Sequence, residues 1–151
     1  MDISLLNKIQ SYIKSGIDIS DLIKNQDIRN LDLSYALISD FNVSKQDISG
    51  CRLICAKIQK AQMIKTTARN VQFNYADMTD ADISYIDARD SNFLNTNCTR
   101  TIYKYADLRG CNFCKATITL GPEYGYKAKV NNTLMNLLDK IWEITPDADK
   151  K

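Results

Sequence analysis

The 151 residues fit one domain, and Lys+Arg 20 against Asp+Glu 18 leaves a net charge of +2, which demands neither nucleic acid, an anionic membrane nor an acidic substrate. With no histidine, the usual general base near neutral pH and the commonest metal ligand are missing; five cysteines without a secretory leader predict reduced thiols rather than a disulfide framework. No apolar run reaches the ~18 residues of a membrane span, and the N-terminus lacks the basic and long apolar regions of a signal peptide, so a soluble, cytoplasmic protein with no membrane association is expected. Residues 1–25 form the first segment. Ile3, Leu6, Ile9 and Ile13 recur at helical spacing over residues 3 to 15, and Gly16 supplies a stop, which predicts a short amphipathic helix.

From Ile28 onward neither the helical period of 3.6 nor the strand period of 2 describes the apolar residues; they recur every five. Steps of five from Ile28 give Leu33, Ile38, Val43, Ile48, Leu53, Ile58, Met63, Ala68, Phe73, Met78, Ile83, Ala88, Phe93, Cys98, Tyr103, Leu108, Phe113 and Ile118 without an insertion. These are the central positions. The residue two before each, the inner position, is mostly small, as in Ala56, Ala61, Ala76 and Ala106; the residue just before is mostly Asp, Asn or Gln. Charge gives a sharper test. Asp27 through Lys115 contains 22 charged residues, and none occupies a central or inner position. If charge ignored the register, the probability would be on the order of 10⁻⁵. Two positions in five are therefore shielded and three face water, which is the signature of a solenoid.

The pattern Ala-(Asp/Asn)-Leu-x-x, seen in Ala76-Asp77-Met78, Ala81-Asp82-Ile83 and Ala106-Asp107-Leu108, resembles the pentapeptide-repeat family over residues 26–120. The resemblance implies an all-β solenoid: a right-handed quadrilateral β-helix of about 4–5 coils, with central and inner residues pointing in. Four sides require a period of 20, and the columns support it: Phe73, Phe93 and Phe113 align, as do Arg29, Arg69, Arg89 and Arg109. Asp40, Lys60, Asp80 and Arg100 alternate in sign up another side, as neighbouring rungs should. The N-terminal helix is then expected to cap an open end.

Gly121-Pro122 ends the register. Within the last segment, 121–151, a loop containing Tyr124, Gly125 and Tyr126 is expected, then a helix over residues 132–144. Its apolar stripe, Leu134, Leu137, Leu138, Ile141 and Trp142, either caps the coil or pairs with its twin in a homodimer.

No catalytic, cofactor-binding or metal-ligating set emerges. Cys111 and Cys114 have the spacing of a metal or redox pair, but the register turns Cys111 inward and Cys114 outward; Cys51 and Cys55 diverge in the same way. Asp27, Asp47, Asp87 and Asp107 share a side with the arginine column, and a solvated ladder of opposite charges accounts for them better than acid–base work. A filled core leaves no cleft, so an enzyme is not expected. The most suggestive side stacks Lys45, Lys65, Tyr85 and Tyr105, with Ile64, Ile102 and Lys104 facing outward beside them. Banded charge along the axis, five basic residues and no acidic one from Ile48 to Ala76, then five acidic and one basic from Asp77 to Asp90, adds a means of orienting a partner. The expectation is a non-catalytic protein-interaction or scaffolding module with a protein partner of unknown identity. One alternative, implied by the resemblance, is a gyrase-binding DNA mimic of the quinolone-resistance type. It is disfavoured by a repeat region with 10 Asp against 12 Lys and Arg. Nucleic-acid binding by the Lys/Tyr side is a further alternative, with affinity that would fall steeply with salt.

Overall fold

The computed structural model describes residues 2–38, 41–119 and 122–130. Its backbone is a stack of parallel bridges between residues 20 apart, from Asp32↔Arg52, Leu37↔Lys57, Asn42↔Gln62 and Asp47↔Thr67 up to Asn92↔Asn112. One bridge broadens into a two-residue parallel pair, β1 (Asn97–Cys98) with β2 (Thr117–Ile118). A five-residue repeat with a 20-residue ladder period has four sides, so each central residue stacks on one four repeats away. Central residues from Ile28 to Leu108 are buried, as are inner residues from Cys51 to Ala106. Phe73, Phe93 and Phe113 stack face to face, with centroids 4.9 and 4.6 Å apart.

The five-residue rule follows from where each backbone N–H goes. The central amide donates to the next turn (Leu33 N to Arg52 O, 2.8 Å). The amide before it donates to the previous turn (Arg52 N to Leu31 O, 2.8 Å). The corner amide, two after the central residue, again bonds to the next turn (Tyr35 N to Ile54 O, 2.7 Å), and the following inner amide closes the bend onto the central carbonyl (Ala36 N to Leu33 O, 3.2 Å). Only the amide between centre and corner is left over. The Asp or Asn just before the centre accepts it, as Asp32 Oδ1 does from Ser34 N (3.0 Å), Asp82 Oδ1 from Ser84 N (2.9 Å) and Asn92 Oδ1 from Leu94 N (3.1 Å). Where that residue is Gln62 or Thr67, a serine from the turn below substitutes: Ser44 Oγ accepts from Ile64 N and Ser49 Oγ from Arg69 N.

The described corner residues from Asn30 to Lys115 have φ between 54° and 64°, apart from Gly50 and Gly110 at 74° and 76°. A positive φ at the third residue of a four-residue turn is type II geometry. Inner Ser, Thr and Cys are more than fillers. The hydroxyls of Thr66, Ser91, Thr96 and Thr101 and the thiols of Cys51 and Cys111 each donate to the carbonyl 23 residues earlier, at 2.7–2.9 Å. This bond is how a polar group is accommodated at a buried position.

Both ends depart from the period. α1 (Ile3–Lys14) starts at Asp2, whose side chain accepts from Ser4 N, and gives way at Gly16, φ 65°. Ile9 is buried, while Ile3, assigned to the same apolar face, stands 75% exposed because it lies beyond the core's edge. Gln10 Nε2 donates to Asp32 O (2.9 Å), a carbonyl on the first turn's edge, and Ile19 N donates to Leu37 O across the short helix α2 (Ser20–Ile23) that follows. At the far end, the expected loop at Tyr124–Tyr126 holds a one-turn helix, α3 (Pro122–Gly125), and the ladder resumes as Asp107↔Lys129, two residues out of step. Tyr103 packs where the step is lost. Its phenol at a central position is nearly buried and donates to Thr119 O (3.3 Å), and its ring lies against Gly125, where a Cβ would come within 2.2 Å of Cε2. The stripe Leu134, Leu137, Leu138, Ile141 and Trp142 lies outside the described residues.

Candidate functional site

The charged columns divide into two kinds. All six arginines are paired with aspartates. Along one side run Arg29–Asp27 (2.6 Å), Arg69–Asp87 (2.6 Å), Arg89–Asp87 (2.8 Å), Arg89–Asp107 (3.8 Å) and Arg109–Asp107 (2.6 Å). Arg52 meets Asp32 at 3.5 Å and Arg100 meets Asp80 at 2.6 Å on other sides; Asp40, expected below Lys60 in the latter column, lies outside the described residues. Arg89, then Arg69, hold the Asp87 carboxyl well below the ordinary carboxylate range, and Arg29 brings Asp27 down to about 2. Carboxylates held ionised this firmly are poor proton donors, and they also serve the backbone, as Asp27 Oδ1 does for Arg29 N. The column is a structural ladder.

Cysteine geometry follows the register. Cys51 is buried and hydrogen-bonded to Ile28 O, Cys111 to Ala88 O, while Cys114 is exposed; among the described residues no three potential ligands converge on a metal site. Burial pushes the Cys51, Cys98 and Cys111 thiols up to about 12, which makes them poor nucleophiles.

The Lys/Tyr side is built differently. Lys45, Lys65, Tyr85 and Tyr105 all occupy corners, with φ of 64°, 58°, 58° and 56°, and a left-handed corner throws its side chain outward whatever its chemistry. Tyr85 and Tyr105 stack at 4.7 Å with planes 9° apart, and are 49% and 39% exposed. Lys65 Nζ sits 5.6 Å from the Tyr85 centroid. Ile64, Ile102 and Lys104 are half-buried on the same side, and Lys104 O and Ile64 O take corner amides from Tyr85 and Lys45. Two further residues extend the column. Tyr126 meets Tyr105 edge-on at 5.6 Å, and Lys127 Nζ lies 4.9 Å from the Tyr126 centroid and 6.0 Å from that of Tyr105. Sequence reasoning missed them because the two-residue shift at α3 puts the next corner of this column at Lys127 (φ 53°), 22 residues past Tyr105, and Tyr126 22 past Lys104, outside the period of 20. A second exposed pair, Tyr35 and Tyr75, occupies corners of another side.

The molecule is thus a filled parallel solenoid whose variable chemistry is confined to outward columns. The family model for Pentapeptide repeats (8 copies) matches residues 91–119, and the five-residue geometry above carries the same pattern down the ladder to Asp32, so the chain is similar to pentapeptide-repeat proteins. Solved structures similar to it include the pentapeptide repeat protein Rfr23 of the cyanobacterium Cyanothece 51142, at 12% identity over 60% of each chain with TM-score 0.48. The chain therefore spans less than two thirds of Rfr23. A pentapeptide repeat protein of the Arabidopsis thaliana thylakoid lumen is 19% identical over 81% of this chain and 80% of that one, TM-score 0.43. QnrB1, a plasmid-mediated fluoroquinolone resistance protein, is 11% identical over 75% of this chain and 73% of its own, TM-score 0.31. No curated protein matches the chain. No helix among the described residues is long and apolar enough to cross a membrane.

Proposed function

We propose that this chain is a non-catalytic protein-interaction module that presents the Lys/Tyr side to a protein partner. The observation that carries the reading is the exposed Tyr85–Tyr105 stack with lysines along its column. Aromatic side chains ordered before contact lose little entropy on binding, and tyrosine is a favoured anchor of interfaces. Central residues buried from Ile48 to Leu108 support the absence of catalysis; the cavity of about 840 Å³ beside Asp21, Ile38, Phe41 and Val43 lies at the first turn, outside that stretch. Mimicry of duplex DNA is less well supported. It asks for free carboxylates, whereas Asp27, Asp87 and Asp107 are neutralised by arginines and tied to the backbone or to one another's partners.

The test compares proteins captured by the wild type with those captured by a Tyr85→Ser/Tyr105→Ser variant of unchanged circular dichroism. A specific protein retained by the first and lost by the second is expected. Identical recoveries would remove the proposal. Inhibition of gyrase supercoiling at stoichiometric protein would replace it with the mimic.

A further inference from the structure

Building on that reading, we infer that the partner segment docking on the Lys/Tyr side is acidic, an extended stretch of protein carrying carboxylates along the column. The first argument is charge. Every arginine is consumed by an internal aspartate, whereas Lys45, Lys65 and Lys104 form no ion pair among the described residues. Three ammonium groups are thus left for solvent on the repeats 41–45, 61–65, 81–85 and 101–105, where the one carboxylate, Asp82, already gives its Oδ1 to the Ser84 amide; Asp21 and Glu123 lie at the two ends of this side.

The second argument is ring orientation. Tyr85 has Tyr105 stacked on one face and the Lys65 ammonium near the other; Tyr105 has Tyr85 stacked on it and Lys127 Nζ over its ring at 6.0 Å, with Tyr126 perpendicular to it. The ring faces, which carry negative quadrupole density, are spoken for. Ring edges and hydroxyls remain, and both are electropositive donors. Lysine ammoniums, ring edges and phenol O–H groups in one column all favour an anionic acceptor. Single-stranded nucleic acid is the other anion to weigh, but its affinity for protein grooves draws on bases stacking upon open aromatic faces, and here those faces are closed. Along the column the rungs follow one another about every 4.8 Å, so these groups form a line parallel to the axis that an extended chain can follow without matching it rung for rung.

The experiment uses the full chain and two probes: a short fluorescein-labelled peptide of alternating Glu and Ser, and a labelled oligothymidylate, each titrated at low salt by anisotropy. Lys45→Gln/Lys65→Gln removes two charges from the Lys/Tyr side; Lys57→Gln/Lys60→Gln removes two from another side and is the charge-matched control. The expected result is peptide binding weakened about fivefold or more by the first pair and little by the second. Equal weakening by both pairs, no peptide binding by the wild type, or tighter oligothymidylate binding that depends on Lys45 and Lys65 would overturn the inference. A protein partner that still requires Tyr85 and Tyr105 but ignores all four lysine substitutions would sink the acidic segment and leave the interaction module standing.

Discussion

Replacing Phe93 with alanine removes the middle ring of a three-ring stack and tests whether the columns hold the fold. Phe93 is fully buried and touches Phe73 and Phe113 on its two faces, with centroids 4.9 and 4.6 Å away. Truncating a buried phenylalanine costs about 3–5 kcal/mol, and each well-stacked aromatic contact adds about 0.5–1.5 kcal/mol. A loss of at least 4 kcal/mol or so is expected, a large part of the roughly 5–15 kcal/mol that holds a domain together. Phe113→Ala is the internal control, since Phe113 is only half-buried and has one stacking neighbour among the described residues; it is expected to lose about half as much. Urea unfolding followed by circular dichroism gives both midpoints. Should Phe93→Ala fail to fold, Phe93→Leu retains apolar volume and still forfeits both ring contacts. Near-equal losses at positions 93 and 113, or a Phe93→Leu midpoint indistinguishable from wild type, would refute the column as a source of stability.

Four other outcomes are expected. Asp82→Ala strips the Ser84 amide, in a buried residue, of its acceptor and costs about 1–2 kcal/mol by urea midpoint, while Asp82→Asn keeps the oxygen and costs little. Gly125→Ala drives a Cβ into the buried Tyr103 ring and lowers stability by about 1–3 kcal/mol, whereas Gly16→Ala, with nothing within 4 Å, costs less and only through its backbone. Lys60→Gly relieves a left-handed corner, φ 59°, worth about 1–2 kcal/mol, minus the ~0.4–1 kcal/mol entropy a glycine adds to the unfolded chain, so thermal stability rises slightly. Stability against pH is expected to be a plateau with two falling edges, measured by urea midpoints. Aspartates 27, 32, 47, 80, 87 and 107 have folded pKa values below 3.8, so their contribution is present above about pH 4 and lost as acid titrates them; the thiols of Cys51, Cys98 and Cys111 are raised from 9.0 to about 12, so the unfolded chain ionises first and stability falls above about pH 9.

The repeat was legible because burial acts on every fifth residue alike: charge is barred from central and inner positions, and that exclusion is visible in letters alone. Columns were legible too, since residues 20 apart must coexist on adjacent rungs, as Arg100 and Asp80 do. The purpose of the recurring Asp and Asn was not. It lies in a backbone amide, which the sequence does not display. Nor were the bonds made by the inner Thr and Cys, whose acceptor sits 23 residues back, a distance no local pattern marks. The two-residue shift at α3 was hidden as well. It goes with the one-turn helix α3, whose Gly125 sits against the Tyr103 ring, a contact across 22 residues that no local pattern marks. Of the candidate side, the register placed Lys45, Lys65, Tyr85 and Tyr105 in one column, while Tyr126 and Lys127, beyond the shift, fell outside it.

The left-handed corner has a further effect on what this surface can become. Its conformation is adopted by Lys, Tyr, Asn, Asp, Cys and Arg alike, so the letter written there is almost independent of the letters inside. Substitutions at these vertices can accumulate, and a new partner be acquired, while the interior stays untouched. The scaffold behaves like a typesetter's frame: fixed pitch, interchangeable type.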